Sequence, residues 1–111
     1  MYTSISIEQL KCFVAVSEEL NFRKAAKNLN MSQPPLSRHI INLEYNLKAK
    51  LFERNSRSVK LTKDGMLFLT HATEIITRIE QASKVMISSK DKLTGSISLG
   101  FVPSMANDIL P

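Results

Sequence analysis

The chain has 111 residues, of which 43% are hydrophobic, and a formal net charge of +5. This length suits one ordinary domain or a small domain with appendages, and the apolar fraction is sufficient for a hydrophobic core. The one cysteine excludes an intramolecular disulfide, which fits a reducing compartment, and no apolar run is long enough to predict a membrane span or a signal peptide.

The excess positive charge is concentrated in one part of the chain. Residues 23–60 carry nine cations against two acids, a net of +7, whereas residues 1–22 carry −2 and residues 61–111 are neutral. Such a block is typical of a nucleic-acid-binding surface, but most charge runs are solvated helix faces. Charge alone leaves both interpretations open.

Two short helices are predicted at the start of the chain. Ser6 and Gln9 form a capping-box pattern ahead of a helix that runs to Leu20. Asn21 is a candidate N-cap for a second helix over residues 22–29. Asn30 can take the left-handed backbone that stops a helix, so a short helix-helix turn follows.

The third predicted helix runs from Gln33 to Asn46 or Leu47, and Ser32 can cap it. Two prolines occupy its first turn, where they lack only amide donors that a helix does not use. Its core stripe is Leu36, Ile40, Leu43 and Leu47. Its opposite face presents Gln33, Pro34, Ser37, Arg38 and Ile41.

Residues 51–61 are predicted to form two short strands around Asn55-Ser56, although a short irregular loop would have a similar composition. Arg54 and Arg57 flank this turn, and Lys60 follows in the second strand. Three helices followed by a basic hairpin indicate a mostly helical fold, a winged helix-turn-helix with a two-stranded wing, over residues 5–62.

A long helix is predicted after the hairpin, over residues 63–92, with Thr62 as its N-cap candidate. Apolar residues recur along it at alternating steps of four and three: Phe68, Ala72, Ile75, Ile79, Ala82 and Met86. A helix of about 28 residues is about 42 Å long, too long to bury this seam on the preceding domain. We therefore expect a coiled-coil-like linker helix that pairs with a second copy of the chain.

Residues 95–111 show a strand pattern, in which Ile97, Leu99 and Phe101 alternate with small residues. Seventeen residues cannot build a core of their own. We therefore expect this segment to be the start of a further domain, truncated here.

The exposed residues of the third helix are suited to reading DNA. Arg38 can donate two hydrogen bonds to guanine, Gln33 can pair with adenine, Ser37 can contact a base or phosphate, and proline rings can pack on a thymine methyl. Arg54 and Arg57 would contact phosphates or the minor groove. More general positioning charges are expected at Lys24, Lys27, Lys48 and Lys60.

Structural alternatives exist for each of these residues. Pro34 and Pro35 could merely rigidify the helix start, Arg38 could pair with Glu44 or another acid, and Arg54 could be solvated or held near Glu53. The two histidines are 32 residues apart and show no metal-ligand spacing. Cys12 has no histidine–acid pair near it in sequence and is expected in the core. An enzyme is therefore not expected.

The motifs AA-x-x-L, SQPPLSR, LE-x-x-L, LFER and LT-x-x-G, followed by GSISLGFVPS, occur together in this order. The chain thereby resembles a LysR-type transcriptional regulator over essentially its whole length, and the double proline with GFVPS resembles regulators of aromatic-compound catabolism. By position, the recognition-helix region matches Ser32, Gln33, Pro34, Pro35, Ser37 and Arg38, and the wing matches Arg54 and Arg57.

The resemblance implies a bacterial, cytoplasmic regulator that binds double-stranded DNA. It implies a homodimer through the linker helix, a tetramer of the full-length protein, and a small organic inducer in the missing domain, with no cofactor in this part. Two departures stand out. Arg23 replaces a common Ser or Thr that could bind phosphate, and Lys48-Ala49-Lys50 replaces the usual glycine, which suggests a slightly longer third helix.

A different class of function fits the heptad pattern alone. The chain could be a coiled-coil interaction module whose basic surface is non-specific and only solubilising. Selection from pooled random DNA duplexes separates the two hypotheses, because only a sequence-specific regulator would select a motif.

Overall fold

The computed structural model describes the backbone of residues 4–95 and the side chains of residues 4–90. Its elements are α1 (Ile7–Glu19), α2 (Phe22–Asn28), α3 (Gln33–Leu47), β1 (Phe52–Arg54), β2 (Val59–Leu61) and α4 (Lys63–Gly95). The mostly helical winged helix-turn-helix is confirmed. The predicted further domain over residues 95–111 lies outside the described residues, apart from Gly95.

Three of the four helix starts, those of α1, α2 and α4, are fixed by side-chain caps that the sequence predicts. Ser6 Oγ accepts a hydrogen bond from Gln9 N, and Gln9 Oε1 accepts one from Ser6 N, both at 3.2 Å, which completes the capping box of α1. Asn21 Oδ1 accepts from Lys24 N at 2.9 Å to cap α2. Thr62 Oγ1 accepts from Gly65 N at 2.9 Å at the start of α4.

The turn between α2 and α3 also follows the prediction. Asn30 has a φ of 56°, the left-handed conformation expected of it. Met31 N donates to Ala26 O at 3.0 Å, and the half-buried Met31 side chain packs against the core. The helix-turn-helix is therefore closed by local backbone bonds and one apolar side chain.

The third helix runs from Gln33 to Leu47, which confirms the predicted range, and the slight extension suggested by Lys48-Ala49-Lys50 is wrong. Lys48 is its C-cap and has a φ of 54°, in the left-handed region that glycine usually fills. Its N–H donates to Tyr45 O at 3.2 Å, and Ala49 N donates to Glu44 O at 3.1 Å. The chain must turn here because Leu51 and Phe52, a few residues later, are buried in the core.

The core of the first unit is built around three aromatic rings. The ring centroid of Phe13 lies 5.4 Å from that of Phe52 and 5.5 Å from that of Phe68, so one residue joins α1 to the wing and to α4. Gly65, in the first turn of α4, is buried beside the wing. A Cβ atom there would overlap Leu51 O and lie 2.7 Å from Leu61 Cδ2, so the close approach requires glycine.

The chain divides into two compact units, one that ends at Thr77 and one that begins at Arg78. Both strands and the first three helices lie in the first unit, and β1 pairs with β2 in antiparallel register with Arg54 opposite Val59. Every described side chain of the second unit, over residues 78–90, is exposed. Within the described residues, no helix combines the length and apolarity needed to cross a bilayer.

Candidate nucleic-acid interface

An open cleft of about 500 Å³ on the first unit collects side chains from three elements: the start of α2, the N-terminal half of α3 and the turn of the wing. The sequence predicts ten DNA-binding residues: Arg23, Lys24, Ser32, Gln33, Pro34, Pro35, Ser37, Arg38, Arg54 and Arg57. Five of the ten line the cleft: Arg23, Gln33, Ser37, Arg54 and Arg57. Four of the other five, Lys24, Ser32, Pro34 and Arg38, are exposed outside it, and Pro35 is half-buried. The predicted site is thus divided between a cleft and an adjoining convex helix surface.

The start of α3 differs from the predicted cap. Ser32 is the N-cap residue, but its side chain makes no capping hydrogen bond. An N-cap oxygen accepts from the amides of the second or third helical residue, and here those residues are Pro34 and Pro35, which have no N–H. The prolines therefore leave the Ser32 hydroxyl exposed at the helix start, and they also reduce the amides that could bind an anion there.

The outward face of α3 carries exposed side chains opposite a fully buried stripe. Leu36, Ile40 and Leu43 have no exposed surface, whereas Pro34 and Arg38 are exposed. The alternative that Arg38 pairs with Glu44 is wrong, because the Glu44 carboxylate pairs with Arg54 instead. The guanidinium of Arg38 thus lies on the solvent face of the helix.

The same face continues beyond Arg38 with apolar character. Ile41 is 53% exposed and Tyr45 is 81% exposed, each about one helical turn further along α3. The sequence predicts Ile41 on this face, and the structure adds Tyr45 to it.

A buried acid near the end of α3 was not singled out by its spacing. Glu44 is 8% exposed, and its Oε2 atom accepts hydrogen bonds from Leu51 N at 2.8 Å and Phe52 N at 3.2 Å. Its Oε1 atom lies 3.5 Å from Arg54 Nη2. In the sequence, Glu44 directly follows Leu43 of the core stripe. Charged side chains are rarely buried unless they are paired, so a glutamate buried at this position needs partners.

Arg54 is half-buried, and its partner differs from the sequence alternatives. Its side chain is 26% exposed, its guanidinium carbon lies 4.9 Å from the ring centroid of Phe22, and its ion pair is with Glu44 rather than with a group near Glu53. Arg54 therefore has contacts on α2 and α3 as well as a place in the cleft.

The wing turn presents Arg57 to solvent. Asn55 Oδ1 accepts hydrogen bonds from Arg57 N at 2.7 Å and Ser58 N at 2.9 Å, and Asn55 N donates to Ser58 O at 3.0 Å. These bonds close an Asx turn, which fixes the backbone without using the arginine side chain. Arg57 is consequently an exposed cation on an ordered turn.

The residues of the predicted dimer seam fall into two groups, one packed in the core of the chain and one exposed. Ala72 has no exposed surface and Phe68 packs against Phe13, so both residues contribute to the core of their own chain. Ile75 is 43% exposed, and in the second unit Ile79 is 47% and Met86 59% exposed; Ala82 is exposed as well. Val85 and Ile87 are further exposed apolar residues that the heptad pattern did not include.

The structure gives no chemical role to the cysteine. Cys12 is fully buried, as predicted, and its burial, together with the nearby Glu8 carboxylate, raises the pKa of the thiol to about 11. Its Sγ atom lies 4.0 Å from Met31 Sδ. Among the residues that the structure describes, no three histidine, cysteine or acidic side chains are grouped so that they could hold a metal ion.

The chain is similar in sequence to known proteins. Residues 7–66 match the family model described as bacterial regulatory helix-turn-helix protein, lysR family. The chain is 41% identical over 109 residues to the HTH-type transcriptional regulator BenM of Acinetobacter baylyi, and 40% identical over 107 residues to a probable cat1 operon transcriptional activator of Acinetobacter lwoffii. It covers 35% of the length of each of these curated relatives.

Solved structures show the same fold. The DNA-binding domain of BenM in complex with catB site 1 DNA superposes with a TM-score of 0.70 at 40% identity, over 83% of this chain and 99% of that one. The DNA-binding domain of CbnR in complex with DNA superposes with a TM-score of 0.73 at 36% identity, over 77% of this chain and 98% of that one.

The helix-turn-helix, the two-stranded wing and the basic cleft define a winged-helix DNA-binding domain of a transcription regulator. The family match covers more than half of the chain, and the solved relatives share its fold. The chain belongs to the lysR family of bacterial regulatory helix-turn-helix proteins. The comparisons give no support to the alternative of a coiled-coil module with a non-specific basic surface.

Proposed function

We propose that this chain binds operator DNA sequence-specifically, with the N-terminal half of α3 in the major groove and the wing against the backbone or minor groove. The observation that carries the proposal is the basic cleft, which places Arg23, Gln33 and Arg57 from three elements around one opening. It adjoins the exposed face of α3 that carries Arg38. A helix that reads bases beside cations that contact phosphate is the arrangement required for sequence recognition.

The individual roles follow from side-chain chemistry. Arg38 can donate two hydrogen bonds to the O6 and N7 atoms of guanine, and Gln33 can pair with the N6 and N7 atoms of adenine. Ser32 and Ser37 carry hydroxyls that suit phosphate or a base edge, and the Ser32 hydroxyl has no capping bond within its own helix. Pro34 and Pro35 can pack against a thymine methyl group.

The cations outside the helix supply affinity rather than specificity. Arg23, Lys24 and Arg57 are exposed and suit phosphate contacts, which bind all sequences alike. In this assignment the wing interacts with DNA through its turn, where Arg57 is ordered by the Asx turn of Asn55.

We also propose that the chain acts as a homodimer through α4. Support comes from Ile75, Ile79, Ala82 and Met86, which recur at steps of four, three and four and are exposed, whereas Phe68 and Ala72 pack within the chain. Dimers of this class bind two half-sites, so the operator is expected to contain an inverted repeat. A tetrameric full-length protein, an organic inducer in a further domain and a cytoplasmic location complete the proposal.

The experiment that tests this function is selection of bound sequences from a pool of random duplexes with the chain itself. A motif with two related half-sites is the expected result. Retention of DNA without enrichment of any motif would overturn sequence-specific binding and leave only a basic surface. Sedimentation of the same protein reports independently on the dimer.

A further inference from the structure

The first observation is that one buried carboxylate joins the recognition helix to the wing. Glu44 lies on α3, while the amides that donate to its Oε2 atom belong to Leu51 and Phe52, at the entry to β1. Arg54, at the end of the same strand, approaches its other oxygen at 3.5 Å. The wing is thus attached to α3 by three contacts that meet at a single side chain.

The second observation concerns the position of Arg54. Its guanidinium lies between the Phe22 ring, 4.9 Å from its centroid, and the Glu44 carboxylate, with 26% of the side chain exposed. Phe22 is the first residue of α2 and Glu44 lies on α3, so the same guanidinium contacts both helices. A phosphate contact would compete with Glu44 for this cation. Arg57 is exposed, and within the part of the chain that the structure describes no carboxylate pairs with it.

The Glu44–Arg54 ion pair is better suited to fixing the position of the wing than to stabilising the fold. A buried ion pair contributes little net stability, because desolvation of the charges offsets their attraction, although removal of one partner leaves the other unpaired. A carboxylate that accepts from two amides and pairs with a guanidinium does, however, define direction and distance. The consequence is a fixed separation between the base-reading face of α3 and the turn that presents Arg57.

We propose that Glu44 and Arg54 are positioning residues, which set the wing relative to the recognition helix and act on DNA binding through Arg57. This inference rests on the proposed function and deepens it. It reassigns Arg54, which the sequence placed among the DNA contacts, to a role inside the protein.

The test is a double-mutant cycle on the selected DNA site, with E44Q, R57A and the double variant in the whole chain. E44Q keeps the side-chain length but removes the charge and brings an amide donor toward groups that are themselves donors. It is expected to weaken binding about tenfold in the wild-type background and by less than about twofold when Arg57 is absent, because coupled residues are not additive. Additive effects in the two backgrounds would overturn the inference.

The matched control is S17A. Ser17 is a buried polar residue whose Oγ donates to Phe13 O at 2.8 Å within α1, far in sequence from the wing. S17A removes a buried hydrogen bond that involves no residue of the wing, so S17A and R57A should be additive in DNA binding. Coupling of S17A to R57A as strong as that of E44Q would show that general destabilisation explains both, and would overturn the inference.

A second variant distinguishes a positioning arginine from a phosphate contact, and it stands in if E44Q fails to fold. The logarithm of affinity falls with the logarithm of salt concentration by about 0.9 per phosphate contacted. R57A is expected to reduce that slope by about one contact, and adding R54A to R57A is expected to leave the slope unchanged, because the phosphate contact that Arg54 positions is already absent. A further reduction of about one contact in the R54A/R57A double variant would assign Arg54 to phosphate and overturn its positioning role. A wild-type chain that selects no motif would contradict the proposed function itself, and the inference would fall with it.

Discussion

The two units of the chain treat their apolar side chains in opposite ways. Up to Thr77, large apolar residues from α1, α3, the wing and α4 are buried against each other, with Phe13 in contact with both Phe52 and Phe68. From Arg78 to Lys90 every side chain is exposed, including Ile79, Val85, Met86 and Ile87. The first unit has a buried core within one chain, whereas the second carries apolar side chains that no other described residue of the chain covers.

The heptad pattern of α4 contains residues in two different environments, one buried and one exposed. The heptad steps run through α4 without interruption in sequence, but Phe68 and Ala72 contribute to the core of the chain, and Ile79 and Met86 do not. Long helices depend on packing for most of their stability, so the exposed apolar face of α4 supports the proposed association with a second copy.

The largest expected effect is on that association. Ile75→Asp or Ile79→Asp should dissociate the dimer, because a buried isoleucine contributes about 1.5–3 kcal/mol and each dimer contains two copies of it. Both side chains are already about half exposed, so the fold of the single chain should persist. Sedimentation measures the oligomer, and binding to a two-half-site operator should fall far more than binding to one half-site. Thr73→Asp, at an exposed position outside the heptad steps, is the control, and an unchanged oligomer in both isoleucine variants would argue against the seam.

The next effect tests how tightly the first unit is packed. Gly65→Ala should lower the free energy of unfolding by about 3 kcal/mol, since the added Cβ overlaps the Leu51 carbonyl and crowds Leu61. Chemical denaturation followed by circular dichroism gives the value. Thr70→Ala, exposed in the same helix, should change it by less than about 0.5 kcal/mol. Equal stability of the two variants would mean that the wing does not approach α4 so closely.

A change in the recognition helix should affect specificity more than stability. Arg38→Ala should cost about 1–3 kcal/mol of binding free energy on the selected site and relax discrimination at one base pair. Anisotropy titrations against single-base variants of that site measure both quantities. Arg78→Ala, the same substitution at an exposed position in the second unit, should leave discrimination intact. Unchanged sequence preference in the Arg38 variant would remove its role in base reading.

The smallest expected effect concerns the positioning charges. Lys24→Ala or Lys60→Ala should weaken binding to all sequences alike and reduce the salt dependence by about one phosphate contact. Titrations at several salt concentrations, on the selected site and on a scrambled duplex, measure the slope. A loss confined to the selected site would instead assign the lysine to base recognition.

The local features of the fold were predictable, because short-range signals specify them. The caps at Ser6, Asn21 and Thr62 and the left-handed Asn30 depend on residues within one turn of the chain. The turn of the hairpin is likewise determined locally, because the Asn55 side chain accepts two backbone hydrogen bonds across it.

The remaining features depend on contacts with residues that are distant in sequence. Lys48 adopts a left-handed backbone because the following residues must reach the core, although its side chain has no preference for that conformation. Gly65 is unfavourable in a helix by its own propensity, and only the approach of Leu51 explains why it stands there. For the candidate site, the sequence identified the cations but not that Glu44 holds Arg54, because a contact between residues ten positions apart leaves no periodic signal.

The two prolines at the start of α3 have a consequence for the entropy of recognition. Each fixes its own φ angle in the unfolded chain as well as in the folded one, so less conformational freedom is lost when this segment becomes ordered. A binding surface that is already ordered also loses less conformational entropy when it binds its partner. More of the contact energy therefore remains as affinity. The end of α3 proposed to read DNA is thus preorganised by the covalent structure of its side chains, in place of the capping hydrogen bond that Ser32 does not make.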